Sequence, residues 1–428
     1  RMCNKKTTGI KNGGKEMDVE IMRNVYDSQE IINYRKQLSA SLSNMKYPKM
    51  GKIDIDSFHF QDVNVKYIKE NKATELSKAI KSKIDDDNNI IVFKDGNIIY
   101  NNLSEAFKKV KVTSYFTALK QNDLQVLEIF KARFKNHSDN KLININQAFI
   151  NSFLYIEVPK NLFITEELKL YIIGEKSDLI HYTLINCQEN SELTIVEKLD
   201  NLTNINFNYV SEVNVYHNAK LNYVGIDRLN NHSQAFIHRA GYVYDDATLI
   251  YALGQLNDCH TISDNIISLI GKNAYCESRN VLFTDKENTH AITINVEHLA
   301  PFTVGRIINH GIVKDKGYLY VDGIGKIHQG MKSSNSQQNS RIIILSDDAK
   351  VTANPYLLID EFDVMAGHGA GIGKVSEEQL YYLMSRGLAK KDAEKLIIIG
   401  FLYPIIEMIS SDKLRNSFIK TIEDKLSI

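Results

Sequence analysis

The chain has 428 residues, and its 52 Lys and Arg residues are matched by 52 Asp and Glu residues. This balance argues against a dedicated nucleic-acid-binding protein, because such proteins carry an excess of positive charge to meet the phosphates. Hydrophobic residues make up 43% of the chain, enough for a large core, and the length predicts two or three domains.

Cysteine usage and the lengths of the apolar runs indicate the compartment. Four cysteines without regular spacing are typical of a reducing environment and not of a disulfide framework. The longest apolar run, residues 396–406, is much shorter than the ~20 residues that span a bilayer, so it predicts a buried helix. The N-terminal residues are polar, with no apolar segment typical of a secretory signal. These features predict a cytoplasmic protein that binds neither membrane nor nucleic acid.

Residues 1–138 are predicted to form a small α+β region. A helical pattern covers residues 21–42, and the dipeptide Asp95-Gly96 lies between two β-branched runs, which is a strong hairpin signal. Another helix is predicted over residues 123–134. Its apolar face would consist of Leu124, Leu127, Phe130 and Phe134.

Residues 139–373 show a repeated β pattern. A short turn followed by an alternating strand begins at Asn190, Asn218, Asp246 and Asn273, at intervals of 27 or 28 residues, and Asp348 begins a similar segment. Strand-rich repeats of this length predict a β-solenoid, in which each unit stacks on its neighbour and Asn side chains can bond along the axis. A propeller is disfavoured because its blades are longer and carry Trp, which this chain lacks. A β-sandwich with coincidental spacing is the remaining alternative.

Residues 374–428 are predicted to form a C-terminal helical bundle. Ser376 and Gln379 match a capping box at the start of the first helix, and Gly387 stands where a helix-ending glycine belongs. The second helix, over residues 392–408, is apolar around most of its circumference and is therefore predicted to be buried. The third helix has one apolar face, formed by Leu414, Phe418, Ile422 and Leu426.

The glycine-rich stretch GHGAGIGKVS at residues 367–376 invites comparison with a phosphate-binding loop. Such a loop requires Gly five residues before Gly373 and Ser or Thr after Lys374, but His368 and Val375 occupy those positions. The stretch also fails the dinucleotide-binding pattern, and we interpret it as a turn leaving the β region. His368 is a candidate metal ligand, because imidazole is the commonest protein ligand for metals. A solvated histidine in a turn is the simpler alternative.

The other histidines and cysteines form no recognisable catalytic or metal-binding motif. Cys259 and His260, with Cys276 further along, match no zinc module, and free Cys is a common core residue. The remaining histidines considered, His298, His310 and His328, are scattered. No nucleophile elbow or Ser–His–Asp motif is found, so motifs alone do not indicate an enzyme.

A longer pattern near the C-terminus resembles the SufB/SufD family of iron–sulfur cluster assembly proteins. The resemblance covers RIIILSDDAKVTANPYLLIDEFDVMAGHGAGIGKVSEEQLYYLMSRGLAKKDAEKLIIIGFL, and it extends upstream to NQAFINSFLYIEVPKN and to YPKMGKIDID. Within the family the chain is most similar to SufD, because no cysteine follows Cys276 and His368 occupies the glycine-rich stretch. Gly367 and Gly371 depart from the family pattern, which usually has Ser and Thr there.

The resemblance implies a mainly β protein: a right-handed parallel β-helix flanked by the α+β region and the helical bundle. It further implies a non-catalytic scaffold of the SUF complex that pairs with SufB through the β-core and docks the SufC ATPase on the C-terminal helices. The isolated chain would form a homodimer.

By the same resemblance, His368 would ligate iron at the SufB–SufD boundary, beside a SufB cysteine. The chain alone would bind no cofactor. Iron or a transient iron–sulfur cluster would bind in the complex, with reduced flavin as a further option. The alternative function is a β-helix protein that binds carbohydrate or degrades polysaccharide, and the lack of Trp and of a secretory signal counts against it.

Overall fold

The computed structural model describes residues 29–51, 53–58, 60, 62–65, 76–84, 88–133, 138–230, 233–409 and 411–427. The N-terminal elements are α1 (Gln29–Ser41), α2 (Lys78–Lys81), β1 (Ile90–Lys94), β2 (Asn97–Asn102), β3 (Lys111–Ser114), α3 (Tyr115–Gln121), α4 (Leu124–Ala132) and α5 (Lys141–Phe149). Short 3₁₀ helices cover Leu42–Asn44, Ile55–Phe58 and Glu105–Phe107.

Sixteen strands and three helices follow. The strands are β4 (Ser152–Val158), β5 (Phe163–Gly174), β6 (Leu179–Cys187), β7 (Glu192–Asn201), β8 (Phe207–Val215), β9 (Lys220–Arg228), β10 (Gln234–Val243), β11 (Thr248–Gln255), β12 (His260–Leu269), β13 (Tyr275–Thr284), β14 (Thr289–His298), β15 (Val304–Val313), β16 (Tyr318–Ile327), β17 (Ser334–Ile344), β18 (Lys350–Ile359) and β19 (Val364–Gly373). The helices are α6 (Glu377–Ser385), α7 (Lys390–Ile406) and α8 (Asp412–Ser427).

Strands β4–β19 form eight coils of a parallel β-solenoid, each coil consisting of one even-numbered and one odd-numbered strand. Even strands stack in one sheet and odd strands in the other, and each strand pairs in parallel with its equivalents in neighbouring coils. Because side chains alternate along a strand, every second residue points into the solenoid, where one continuous apolar cluster fills the interior. The predicted solenoid is confirmed, and the β-sandwich is excluded.

The repeated turns adopt a left-handed backbone conformation that Asn and Asp tolerate better than other residues with side chains. Asn190, Asn218, Asp246 and Asn273 all have φ between 53° and 59°. Their side chains form the predicted ladder: Asn218 Nδ2 donates to Asn190 Oδ1 at 2.8 Å, and Asn273 Nδ2 donates to Asp246 Oδ1 at 2.9 Å. The 28-residue period is therefore the length of one coil.

Asp348 does not belong to this row of turns, and the prediction that it begins another copy is wrong. It lies between β17 and β18, where an odd strand leads to an even strand, whereas the repeated turns lead from even to odd strands. Its turn stacks instead beside Asp315, whose backbone amide donates a hydrogen bond to Ser346 Oγ at 2.8 Å. A short Asp-Ala-Lys-Val string does not distinguish the two rows of turns.

The N-terminal region closes the first coil. The predicted hairpin is confirmed, with positive φ at both Asp95 and Gly96. Its strand β1 extends the odd sheet beside β5, and β3 extends the even sheet beside β4. The helices cover the outer face of the even strands around Tyr182, Val210 and Phe236.

Two details of the predicted N-terminal helices differ from the structure. The helix predicted over residues 21–42 is observed as α1 from Gln29, and its first eight residues lie outside the described residues. The face predicted for α4 is rotated, because Val126 and Phe130 are buried while Leu124 is 65% exposed. Phe134 also lies outside the described residues.

The C-terminal helices share a core with the solenoid. Ser376 caps α6 by accepting a bond from Gln379 N at 3.3 Å, and Gly387 ends it with a φ of 97°, both as predicted. The predicted face of α8 is confirmed, since Leu414, Phe418 and Ile422 are buried, in part against the outer face of the odd strands. The prediction that α7 is buried around most of its circumference is wrong, because one side of it is exposed, including Leu396 at 53%.

The ladder gives a test of the fold. In Asn218→Ala, the left-handed turn keeps a Cβ but loses the side-chain bond, so we expect the free energy of unfolding to fall by about 1–2 kcal/mol. Asn218→Gly removes the same bond but relieves the backbone, and should lose less. Urea denaturation of both variants measures the difference. Equal losses, or a larger loss in Asn218→Gly, would show that the left-handed conformation does not matter.

Candidate functional site

The glycine-rich stretch is the last strand of the solenoid and not a turn. Residues 364–373 form β19, which pairs in parallel with β17 over its whole length. The earlier interpretation is wrong because glycine has a low strand propensity and conceals the alternation of His368, Ala370 and Ile372. The exclusion of a phosphate-binding loop stands, since all the glycines of the stretch lie in a strand and only residues 374–376 connect it to α6.

His368 lies at the open end of the solenoid. The register pairs it with Gln338 of β17, and Gln338 is buried on the interior face of the odd sheet. Alternation puts His368 on the same face, but no further coil covers it among the described residues, and it is exposed. Gln338 Nε2 donates to Tyr356 O of β18 at 2.6 Å. His368 therefore lies at the mouth of the solenoid interior.

Three glycines on the outer face of β19 are not needed for packing or for backbone conformation within this chain. A Cβ added at Gly369, Gly371 or Gly373 would meet nothing within 4 Å, and none of the three has a positive φ. At Gly367, in contrast, a Cβ would lie 2.6 Å from Gln337 Oε1. The bare backbone therefore leaves room for another molecule to approach closely.

Large apolar side chains are concentrated around the last coil. We call the exposed residues of β18, β19 and the corner between them the terminal-coil surface; they are Tyr356, Leu358, Phe362, Met365 and Ile372. Within the described structure, β18 and β19 each pair with one strand only, so both sheets end in a free edge. Free edges of this kind are normally protected, because they bind other strands.

A second exposed apolar region lies next to the first. We call it the helical surface; it comprises Tyr381, Tyr382, Met384 and Leu388 around α6, and Leu396 and Tyr403 on α7. A groove of about 1220 Å³ separates α6 and α7 from the end of the solenoid. Gly371, Ile372 and Leu396 line it, together with the charged residues Arg341, Lys374 and Glu378.

The structure does not bring the other candidate ligands together. Cys259 and Cys276 are buried in the interior cluster, and His260 stacks on Phe58 and accepts a bond from Thr289 N at 3.0 Å. No group of three His, Cys, Asp or Glu residues suited to hold a metal is found among the described residues.

The scattered histidines have structural contacts of their own. His298 is buried, and its Nδ1 lies 2.8 Å from Thr303 Oγ1. His310 stacks on Phe401 of α7, and its Nδ1 lies 2.7 Å from Phe401 O, so it attaches α7 to the solenoid. His328 is half-buried at the end of β16. None of the three lies on β19.

Sequence reasoning missed a charged cluster inside the solenoid. Arg239 donates to Asp227 Oδ1 at 2.6 Å and lies 3.5 Å from Glu197 Oε1, and all three residues are buried. Tyr209 and Tyr223 donate to Glu197 through their hydroxyls. Burial raises the pKa of Glu197, whereas the nearby Arg239 and both hydroxyls lower it. The signal was available: alternation with Leu193, Ile195 and Leu199 puts Glu197 on an apolar, inward-facing row.

Strands β4–β19 make the chain a parallel β-solenoid of eight coils, and within the described residues no strand covers the last coil. The family described as "SUF system FeS cluster assembly, SufBD core domain" matches residues 171–401, more than half of the chain. The chain therefore belongs to the SufB/SufD family of the SUF iron–sulfur cluster assembly system.

Individual relatives agree with this assignment. The chain is 32% identical over 409 residues to iron-sulfur cluster assembly protein SufD of Bacillus subtilis, covering 92% of this chain and 93% of that protein. It is 26% identical over 415 residues to an iron-sulfur cluster assembly SufBD family protein of Staphylococcus saprophyticus, covering 90% and 88% of the two chains. These comparisons confirm that the chain is most like SufD.

One prediction about membranes can be checked directly. Among the described residues, no helix combines the length and apolar character that crossing a bilayer would need. The apolar run at residues 396–406 forms part of α7, which packs on the solenoid.

The buried cysteines give a test of the interior. Burial raises the pKa of both Cys187 and Cys259 to about 12 and that of Cys276 higher still. Since the thiolate is the reactive form, we expect no reaction of these three thiols with Ellman's reagent in the folded protein, and full reaction in guanidinium. A Cys3→Ser background removes the fourth cysteine. Fast labelling of the folded protein would show that the interior opens.

Proposed function

We propose that this chain is the SufD-type scaffold subunit of the SUF complex, acting in the cytoplasm and without catalytic activity of its own. It pairs with SufB through the terminal-coil surface and docks the SufC ATPase on the helical surface. The observation that carries the proposal is the open eighth coil, with two free sheet edges and exposed apolar side chains, in a chain of this family. A carbohydrate-binding function has no comparable support.

The pairing with SufB follows from how solenoids are stabilised. Each coil is stabilised by its neighbours, so an uncovered coil is a binding surface for another chain with the same repeat. SufB belongs to the same family, and its own last coil can therefore continue both sheets. The bare backbone at Gly369 and Gly371 permits close approach, and burial of side chains such as Phe362 contributes about 1.5–3 kcal/mol each. An isolated chain would use the same surface to form a homodimer.

The docking of SufC rests on the helical surface. Sequence patterning predicts a buried α7, yet Leu396 and Tyr403 are exposed, and no side chain of α6 is buried. An apolar helix face of this kind is typical of a protein interface. The two surfaces adjoin at the groove, so one scaffold can hold both partners at once.

His368 would bind iron as the substrate of the assembly. Its imidazole is exposed at the mouth of the solenoid, on the coil that faces SufB, and iron accepts nitrogen and thiolate ligands. Among the described residues, it belongs to no group of three or more His, Cys, Asp or Glu residues that could hold a metal. The site is therefore completed by a cysteine thiolate of SufB, and a transient cluster builds up between the chains.

The two surfaces can be tested against each other. We expect Phe362→Asp to abolish co-purification of SufB and to leave SufC bound, because it buries a charge at the terminal-coil surface only. Leu396→Asp should have the opposite effect. Affinity purification of the co-expressed subunits measures both.

Leu124→Asp is the control, since Leu124 is a 65% exposed apolar residue on α4, away from both surfaces. It should leave both partners bound. A combined variant with Asp at Phe362, Met365 and Leu358 that still retains SufB would rule out the terminal coil as the interface.

The ligand role of His368 has a separate test. His368→Ala should leave folding and partner binding unchanged, because an exposed side chain changes stability by no more than about 0.5 kcal/mol. The absorbance of the iron–sulfur cluster on the co-expressed complex should be lost. His368→Cys, which supplies another iron ligand, should recover part of it.

His217→Ala is the control for loss of an exposed histidine, because His217 lies in a solenoid turn. His310 would be unsuitable, since it attaches α7 to the solenoid. Normal cluster content in His368→Ala would eliminate the ligand role, and a large fall in its melting temperature would indicate a structural role instead.

A further inference from the structure

Polar side chains follow the interior of the solenoid through successive coils. In the even sheet the register aligns Ser211, Arg239 and Asn265 in one column. In the odd sheet Tyr223, Tyr251 and Ser278 share another column. Every coil from the third, β8–β9, to the seventh, β16–β17, contributes at least one such residue. An apolar interior would be expected of a solenoid that needed only stability.

In the later coils, polar side chains of a third column are joined by direct hydrogen bonds. Asn280 Nδ2 donates to Asn309 Oδ1 at 2.9 Å, and Asn309 Nδ2 donates to Ser340 Oγ at 3.0 Å. Asn280 also donates to Ser278 Oγ at 3.1 Å. Coils five, six and seven are thus connected through their side chains up to the coil beneath β19.

The earlier coils contain polar atoms without a partner. In the third to fifth coils, five described side chains that are at most 1% exposed have such atoms. The atoms are Ser211 Oγ, Arg239 Nε, Tyr251 Oη, both amide atoms of Gln255, and Asn265 Oδ1. Gln338 Oε1, next to the last coil, is a further case. Buried polar groups are almost always bonded to protein or to ordered water, so this concentration needs an explanation.

The geometry suits water. Equivalent residues of successive coils are separated by the strand spacing of about 4.8 Å. Where side chains of successive coils do not bond directly, as they do from Asn280 to Ser340, one water molecule can bridge this spacing with two hydrogen bonds. Buried water typically makes about three bonds to polar groups, and the unpartnered atoms in the third, fourth and fifth coils provide that number of partners.

Such water would solvate the buried charged cluster. Glu197 and Asp227 share one guanidinium, so the cluster has an excess negative charge when both carboxylates are ionised. Isolating an excess charge in an apolar interior is costly. Gln255 stands in register with Asp227, and Tyr251 stands in register with Tyr223, so both unpartnered side chains lie on the strand next to the cluster.

We propose that the solenoid interior binds a file of water molecules that solvates the Glu197–Asp227–Arg239 cluster and connects it to the polar residues beneath the last coil. The waters occupy the third to fifth coils, among Ser211, Arg239, Tyr251, Gln255 and Asn265. From there Ser278, Asn280, Asn309 and Ser340 continue the hydrogen-bonded path. This binding site is independent of the proposed partners.

Crystallography of the full chain at about 1.5 Å resolution tests the site directly. We expect ordered waters within hydrogen-bonding distance of Tyr251 Oη, Gln255 and Arg239 Nε. An interior without water density there would overturn the proposal.

Thermal unfolding of two variants gives a second test with opposite signs. If the atoms are hydrated, Tyr251→Phe and Gln255→Leu lose bonds to water, and their melting temperatures should fall. If the atoms are dry, the same changes remove unsatisfied polar groups, and the melting temperatures should rise or stay the same. Tyr209→Phe is the control, because its hydroxyl already donates to Glu197 and its loss should be destabilising in either case.

Discussion

In a parallel β-solenoid, each coil depends on its neighbours for both its backbone hydrogen bonds and its apolar contacts, so the two ends of the stack need separate protection. In this chain β1 and β3 extend the sheets at the first coil, and the N-terminal helices cover the adjoining face. No described element does the same at the eighth coil. This asymmetry leaves the described structure with one covered end and one uncovered end, and the proposed pairing with SufB rests on the uncovered one.

The same constraint explains where the other functional features lie. Helices α7 and α8 cover the outer face of the odd strands in the middle of the stack, which leaves α6 and one side of α7 exposed beside the open end. His368 is exposed because it belongs to the last coil, while its register partner Gln338, one coil earlier, is buried. The interior holds the buried charged cluster of Glu197, Asp227 and Arg239 as well as apolar residues.

The sequence is informative wherever a residue type reports a backbone conformation. The spacing of Asn190, Asn218 and Asp246 predicts both the solenoid and its ladder, because those turns place a left-handed residue in each of the first seven coils. Contacts between distant residues are harder to predict. The glycines of β19 conceal a strand, and the rotation of α4 and the exposure of Leu396 depend on which surfaces are already covered. The ligand role of His368 is inferred from a family resemblance. Its position at the mouth of the solenoid interior is known only from the register of β19.

Backbone amide exchange along β19 tests the central claim most directly. Hydrogen–deuterium exchange can be measured by mass spectrometry on the full chain, alone and in complex with SufB. Because β19 is a free edge, our account predicts that peptides covering residues 364–373 become strongly protected in the complex, while peptides from α4 do not change. Unchanged exchange in β19, with protection at another surface, would contradict it.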